Sequence, residues 1–304
     1  MQQRDAAFAG QPLKALLPRL EKLPVVPPTL ARTGIQHPGL DAIYFTGSTG
    51  TGRQILQNAA TTNVRTVMEL GGKSPNVVFE DADLEKALDG AILAIFANSG
   101  QICVAGSRLL VQASIHDEFV ERLAAKAAEI TIGGPEANAL MGPVITDAQK
   151  ERVLAYIEQG KLQATLVTGG GTPEDPALPQ GFFVAPTIFD GVPNSATIAR
   201  EEIFGPVLSV TSFEDFDEGI ALANDTEYGL ASAVWTENVK TAHLAAQAIQ
   251  AGQVYINHYY SLGYELSRSP YKASGHGVSE GPDAIYEYLN QKTVSIKLGE
   301  DAGW

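Results

Sequence analysis

Two side chains in this sequence have the chemistry to share one reaction at a carbonyl carbon. Cys103 lies in the segment FANSGQICVAGSRLLV, where Gly100 permits a sharp turn and the strand-like run that follows would fix the thiol in place. A thiolate held there adds to an electrophilic carbon and carries the acyl group that results. Glu69 opens the segment ELGGKSPN, 34 positions earlier, a carboxylate at the end of an apolar segment. The glycines at 71 and 72 let other backbone approach it closely. Each residue alone has a plainer use. A single cysteine between Ile102 and Val104 also serves as a small buried hydrophobe. A carboxylate closing an apolar segment also serves as a cap. The pair is more informative than either member.

Positioning such a pair needs a framework, and the apolar pattern is that of an α/β protein. A short strand at 43–46 runs into Gly-Ser-Thr-Gly and a helix over 52–60, followed by apolar stretches at 64–70 and 76–79. Residues 81–98 place Leu84, Leu88, Ile92 and Ile95 on one helical face, and Ile115, Phe119, Leu123 and Ala127 recur four apart. Thr146 and Gln149 have the spacing of a capping box, with Gly160 expected to close that helix. Strands are expected at 164–168, 207–210, 231–235 and 253–257, and helices at 216–224 and 239–251. Loops are marked at 169–181 and 190–195. Five prolines in the first 36 residues (Pro12, Pro18, Pro24, Pro27 and Pro28) predict a poorly ordered leader.

Composition narrows the partners. The 304 residues are 44% hydrophobic and 18% charged, enough for a sizeable core. A formal charge of -14, with no Lys/Arg cluster, argues against nucleic acid or an anionic membrane. One cysteine excludes an internal disulfide, the five histidines lack metal-site spacing, and no metal is expected. A reducing cytoplasm fits, and no stretch approaches the roughly 20 apolar residues that span a bilayer.

Taken in order, FTGSTGTG at 45–52, ELGGKSPN at 69–76, GQIC at 100–103, EEIFGPV at 201–207 and YKASGHG at 271–277 resemble the aldehyde dehydrogenase superfamily over residues 37–294. Gly47, Gly50 and Gly52 by themselves are not a dinucleotide fingerprint; the ordered set is what carries the resemblance. It implies an aldehyde dehydrogenase-like catalytic domain with a remnant of the Rossmann-like cofactor domain. The implied division is a leader at 1–36, the cofactor-domain remnant at 37–70, the catalytic domain at 71–262, and a C-terminal return segment with an oligomerisation strand at 263–304. The implied activity is oxidation of a small-molecule aldehyde to a carboxylic acid with NAD or NADP. Cys103 would form the thiohemiacetal and thioester, with its backbone N–H as an oxyanion donor, and Glu69 would activate water. Gly47, Ser48, Leu70, Glu202 and Phe204 fall at cofactor-binding positions, Gly47 and Ser48 beside the pyrophosphate and Glu202 on the nicotinamide ribose.

Relative to the family the chain reads as N-terminally truncated. The strands that precede the FTGS segment in other members, the asparagine of their Pro-Trp-Asn segment and the lysine on the adenosine ribose have no expected counterpart. Near the C-terminus, SRSPYKASG at 267–275 stands where the family has Pro-Phe-Gly-Gly before Lys-x-Ser-Gly. The alternative to a complete oxidoreductase is a non-redox remnant that binds a full-length partner or hydrolyses activated esters through Cys103. Residues 294–298 resemble the family's oligomerisation strand, so self-association is expected, because a flat exposed edge invites pairing. Tyr259, Tyr260 and Leu262 are candidates for the substrate entry.

Overall fold

The computed structural model describes residues 35, 37 and 39–298, apart from 176, 177, 261 and 262. The expected leader, except Ile35, and Leu262 lie outside the described residues.

Three strands form the smaller sheet. β1 (Ala42–Thr46) and β2 (Arg65–Glu69) run parallel, joined by helix α1 (Thr49–Ala59). α1 starts where the side chain of Ser48 accepts the N–H of Thr51, and its apolar side closes over Met68 and Leu70 through Ile55. The third strand, β12 (Gly275–His276), returns from near the C-terminus and lies antiparallel against β2.

The larger sheet takes its strands in the order β10 (Gln253–Ile256), β9 (Ala231–Trp235), β3 (Pro75–Val78), β4 (Arg108–Gln112), β7 (Val207–Phe213), β6 (Thr187–Asp190), β5 (Thr165–Thr168). All pairings are parallel except β5 with β6. Helices cover both faces, which is why the central strands are buried along nearly their whole length rather than on alternate residues. Val78, Leu109 and Val111 face α2 (Leu84–Phe96) and α3 (His116–Ala128), whereas Val77 and Leu110 face α6 (Phe216–Asn224) and α7 (Val239–Ala248). Each fully buried side chain of this kind contributes roughly 1.5–3 kcal/mol. Between α3 and α6 come α4 (Asp147–Gln163) and the short α5 (Thr197–Arg200). A two-stranded pair, β8 (Tyr228–Gly229) with β11 (Tyr271–Lys272), ties the return segment down.

Most expected elements are present within a few residues of their expected ends, and four points differ. Gly160 does not end α4, which continues to Gln163; a Cβ at 160 would lie 2.7 Å from the Phe189 ring, so this glycine serves close packing. Thr146 caps α4 through the Gln149 N–H, but the Gln149 side chain turns away and donates to the carbonyls of Ile203 and Phe204. α7 stops at Ala248, where Asn224 bonds both the Ala248 carbonyl and the Gln250 N–H. Residues 294–298 form no strand within this chain, and Val294, Ile296 and Leu298 are exposed.

Candidate active site

The two sheets meet end to end. The C-terminal ends of β1 and β2 face the segments that lead into β3, β4 and β7, and the residues singled out from the sequence fall in this junction. Glu69 is the last residue of β2, paired with Thr46 on one side and Gly275 on the other. Its carbonyl accepts the Gly47 N–H at 3.0 Å, which fixes the turn from β1 into α1 against it. Ser274 then staples the outgoing chain: its carbonyl accepts the Leu70 N–H, and its hydroxyl donates to the Gly71 carbonyl at 2.7 Å while accepting from Gly229.

Cys103 is delivered by a tight reversal after α2. Asn98, Ser99 and Gly100 take φ of 51°, 56° and 71°, a left-handed run that costs about 1–2 kcal/mol at each non-glycine residue. The surroundings hold it there. Ser99 donates to the Gly142 carbonyl, Gln101 accepts the Ile145 N–H, and a Cβ at Gly100 would lie 2.1 Å from the Gly205 carbonyl oxygen. The hydroxyls of Tyr259 and Tyr260 donate to the carbonyls of Val104 and Ala94, each at 2.7 Å. Tyr259 thereby holds the residue after the cysteine, and Tyr260 the last turn of α2 that leads into its loop.

The paired glycines after Glu69 explain how the functional segments come so close. A Cβ at Gly71 would sit 2.4 Å from Glu202 Oε2, and one at Gly72 would sit 2.3 Å from the Cys103 carbonyl oxygen. Only bare backbone fits between them. Glu202 Oε1 accepts the Gly72 N–H at 3.2 Å.

A cleft of about 690 Å³ opens here, and Glu69, Cys103, Gly47, Ser48, Leu70, Glu202 and Phe204 all line it. Polar residues of its wall that the sequence reading does not nominate are Thr46, Asn98, Gln101, Gln149 and Arg152. The spacing from Thr146 reads Gln149 only as a cap, and the one signal for Arg152 is its place about one helical turn further along α4.

Burial acts on the thiol and on the carboxyl in the same direction. Burial, then the charges of Glu69 and Glu202, push the Cys103 thiol up, against a smaller opposing effect of the Val104 and Cys103 amides. Burial also raises Glu69, with Ser279 and Arg268 opposing. Glu202 is raised by burial and pulled back by the Gly72 N–H, Lys73 and Arg152. Lys73, wholly buried, is lowered to about 7 by burial and by Arg108.

These residues fit the nicotinamide half of a dinucleotide. The start of α1 at Gly47 and Ser48 presents first-turn amides to an anion. The Glu202 carboxylate, an acceptor with room made for it by Gly71, suits the hydroxyls of a ribose. Phe204, at φ 59° and 38% exposed, offers an aromatic face at the mouth. Among the described residues no cluster of His, Cys, Asp and Glu is arranged to hold a metal ion, and no helix is long and apolar enough to cross a membrane.

The sheet order, the cysteine turn and the glutamate that shares its cleft define a class, and comparison with known proteins agrees. The sequence profile of the aldehyde dehydrogenase family matches residues 22–294, beginning upstream of His37, and the chain belongs to that family. It is 45% identical over 267 residues to an aldehyde dehydrogenase of Alternaria alternata, covering 87% of this chain and 53% of the relative. It is also 45% identical over 260 residues to a betaine aldehyde dehydrogenase of Brucella melitensis, covering 85% and 53%. Among solved structures, a betaine aldehyde dehydrogenase point mutant of Staphylococcus aureus in complex with NAD+ superposes with a TM-score of 0.85 at 38% identity, over 86% of this chain and 54% of that one. An aldehyde dehydrogenase mutant of Bacillus cereus gives 0.81 at 43% identity, over 85% and 52%. The chain thus spans about half the length of the relatives it matches.

Proposed function

We propose that this chain carries the acyl-transfer site of an NAD(P)-dependent aldehyde oxidation. The observation that supports it is that Cys103 and Glu69, from different strand connections, line one cleft together with Glu202 and Phe204. NAD or NADP, held by Glu202, Phe204, Leu70 and the Gly47–Ser48 turn, would supply the hydride acceptor. The chain's own residues do the rest. Cys103 Sγ gives its proton up to solvent in the open cleft and adds to the aldehyde carbon, and the oxyanion that forms accepts a hydrogen bond from the Cys103 backbone N–H. Once the acyl group is a thioester on sulfur, Glu69 removes a proton from water as that water attacks the acyl carbon, and the thiolate leaves with the carboxylic acid formed. A carboxyl raised by burial holds such a proton better than an exposed one.

The same reading assigns residues 37–70 to the cofactor-binding part, 71–262 to the catalytic part and 263–304 to the return and oligomerisation segment, in a cytoplasmic homo-oligomer. The test is aldehyde-dependent formation of reduced nicotinamide by the purified chain beside Cys103→Ser; equal rates in both would refute it.

A second reading is motivated by the coverage of about half of each relative. Cys103 and Glu69 suffice for hydrolysis of an activated ester without redox chemistry, and the chain would then act as a non-redox remnant or as the partner of a full-length copy. Calorimetric titration with NAD+ separates the two: heat of binding supports the first, and none from a folded chain supports the second.

A further inference from the structure

The segment from Glu201 to Gly205 runs between helix α4 and the cysteine turn. On one side a Cβ at Gly205 would lie 2.4 Å from Val153 Cγ2 of α4, and on the other the Gly205 carbonyl oxygen fills the space a Cβ at Gly100 would need. Ile203 buries its side chain with Val153, Tyr156 and Ile157 of α4, which leaves its neighbours Glu202 and Phe204 at the cleft. Phe204 takes φ 59°, a left-handed backbone uncommon for so bulky a residue and one that persists only where its surroundings enforce it.

The enforcement comes from one face of α4. The carbonyls of Glu202, Ile203 and Phe204 accept no backbone N–H among the described residues. Side chains of α4 take them instead. The two amide hydrogens of Gln149 go to Ile203, at 3.1 Å, and Phe204, at 2.8 Å, while Arg152 Nη2 donates to the Glu202 carbonyl at 2.9 Å. Tyr156 completes the row: its hydroxyl donates to Glu201 Oε2 at 2.5 Å and accepts from Arg152 at 3.2 Å. The Arg152 guanidinium lies 5.1 Å from the centroid of the same tyrosine ring. Positions 149, 152 and 156 share a helical face, so three side chains grip four consecutive residues. The lead-in to α4 holds the cysteine turn as well, since Ser99 donates to the Gly142 carbonyl at 2.6 Å and Gln101 accepts the Ile145 N–H at 2.9 Å.

We propose that Gln149, Arg152 and Tyr156 are positioning residues: a clamp that sets the Glu202–Phe204 turn before any cofactor arrives and fixes it relative to Cys103. This rests on the reading that Glu202 and Phe204 hold a nicotinamide cofactor. A turn free to leave that conformation would bind more weakly in proportion to the time spent outside it.

The experiment is 19F NMR of the whole chain labelled with 4-fluorophenylalanine, the Phe204 line being assigned by its loss in F204L. Q149M keeps the length of the side chain and removes both donors, and R152M removes the third. In each variant the Phe204 line moves toward its position in the urea-unfolded chain while the other ten of the 11 phenylalanine lines stay in place, and R152K returns it. A Phe204 line unmoved in both variants overturns the proposal, and so does a movement of all lines together, which marks general loosening. If Q149M does not fold, R152M and R152K decide by the same criteria. Calorimetric titration with NAD+ gives the second readout. Its Kd rises about tenfold in Q149M, as when the competent turn falls to about a tenth of the population. A moved Phe204 line with an unchanged Kd also overturns the proposal. No heat of binding from the folded wild-type chain refutes the cofactor reading itself, while the 19F lines still decide whether α4 holds the turn.

Discussion

Adding one methyl group at position 72 tests whether the glycine pair sets the position of the nucleophile. In Gly72→Ala the new Cβ would start 2.3 Å from the Cys103 carbonyl oxygen, with Leu230 Cβ 3.3 Å away, and real Cβ atoms essentially never approach closer than 3.0 Å. The cysteine backbone or β3's leading segment must therefore retreat by roughly 0.7 Å, and such overpacking costs about 1–3 kcal/mol. A displacement near 1 Å at a reacting group costs about 10²-fold in rate. The assay is the burst of p-nitrophenol from p-nitrophenyl acetate, which reads acylation of Cys103 without any cofactor, run beside urea denaturation. Acylation should fall about 10²-fold in G72A, with stability lower by about 1–3 kcal/mol. Gly71→Ala is the internal control. Its Cβ would meet the end of the Glu202 side chain at 2.4 Å, which can rotate away, so acylation should stay close to wild type while NAD+ binding weakens. A folded G72A that acylates at the wild-type rate, or a G71A that loses as much as G72A, would refute the reasoning.

Removing the Glu69 charge should have opposite effects on the two half-reactions. Burial and then Glu69 raise the Cys103 thiol, so in E69Q alkylation by iodoacetamide at neutral pH speeds up while hydrolysis of the acyl-enzyme slows. Alkylation that is unchanged or slower would count against a shared cleft. His116 bonds Asp190 through Nε2 at 2.9 Å and Asp117 through Nδ1 at 3.0 Å; burial opposes its charged form, yet these carboxylates raise it above 6.5. A raised histidine stabilises the fold fully below its unfolded value of 6.5, and that contribution is lost as pH rises through the folded value. Urea midpoints should therefore differ most between wild type and His116→Gln on the acid side and converge in alkali, and a constant gap would exclude the linkage. Light scattering should show concentration-dependent self-association that Ile296→Asp abolishes, since Val294, Ile296 and Leu298 are 71%, 74% and 86% exposed. A wild-type monomer at high concentration would dispose of that expectation.

Much of the fold could be read locally. β3, β4, β7 and β9 are covered on both faces, so each carries adjacent apolar residues instead of a strict alternation, while α2 and α3 show one-sided periodicity because each lays a single stripe on the sheet. β6 escaped because Thr187–Asp190 is short and preceded by Pro186, and β8, β11 and β12 are two residues each. Gly160 misled for a related reason. A glycine's sequence signal is the same whether it ends a helix or admits an aromatic ring from another strand.

The candidate site divides along the same line. Residue chemistry marked Glu69 and Cys103 as a possible pair, and the ordered motifs' resemblance to the aldehyde dehydrogenase superfamily is what gave them their roles and nominated Glu202 and Phe204. The tertiary structure alone decided that Gly71 makes room for Glu202 and Gly72 for the Cys103 backbone, that Ser274 staples the strand end bearing Glu69, and that Tyr259 and Tyr260 bond Val104 and the last turn of α2 on either side of the cysteine turn. It alone set β12 against β2, with Gly275 opposite a glutamate about 200 positions earlier in the chain. Contacts of this kind join segments whose separation leaves no periodicity behind. Their energy comes from desolvation and close approach, which exist only once both sheets have formed.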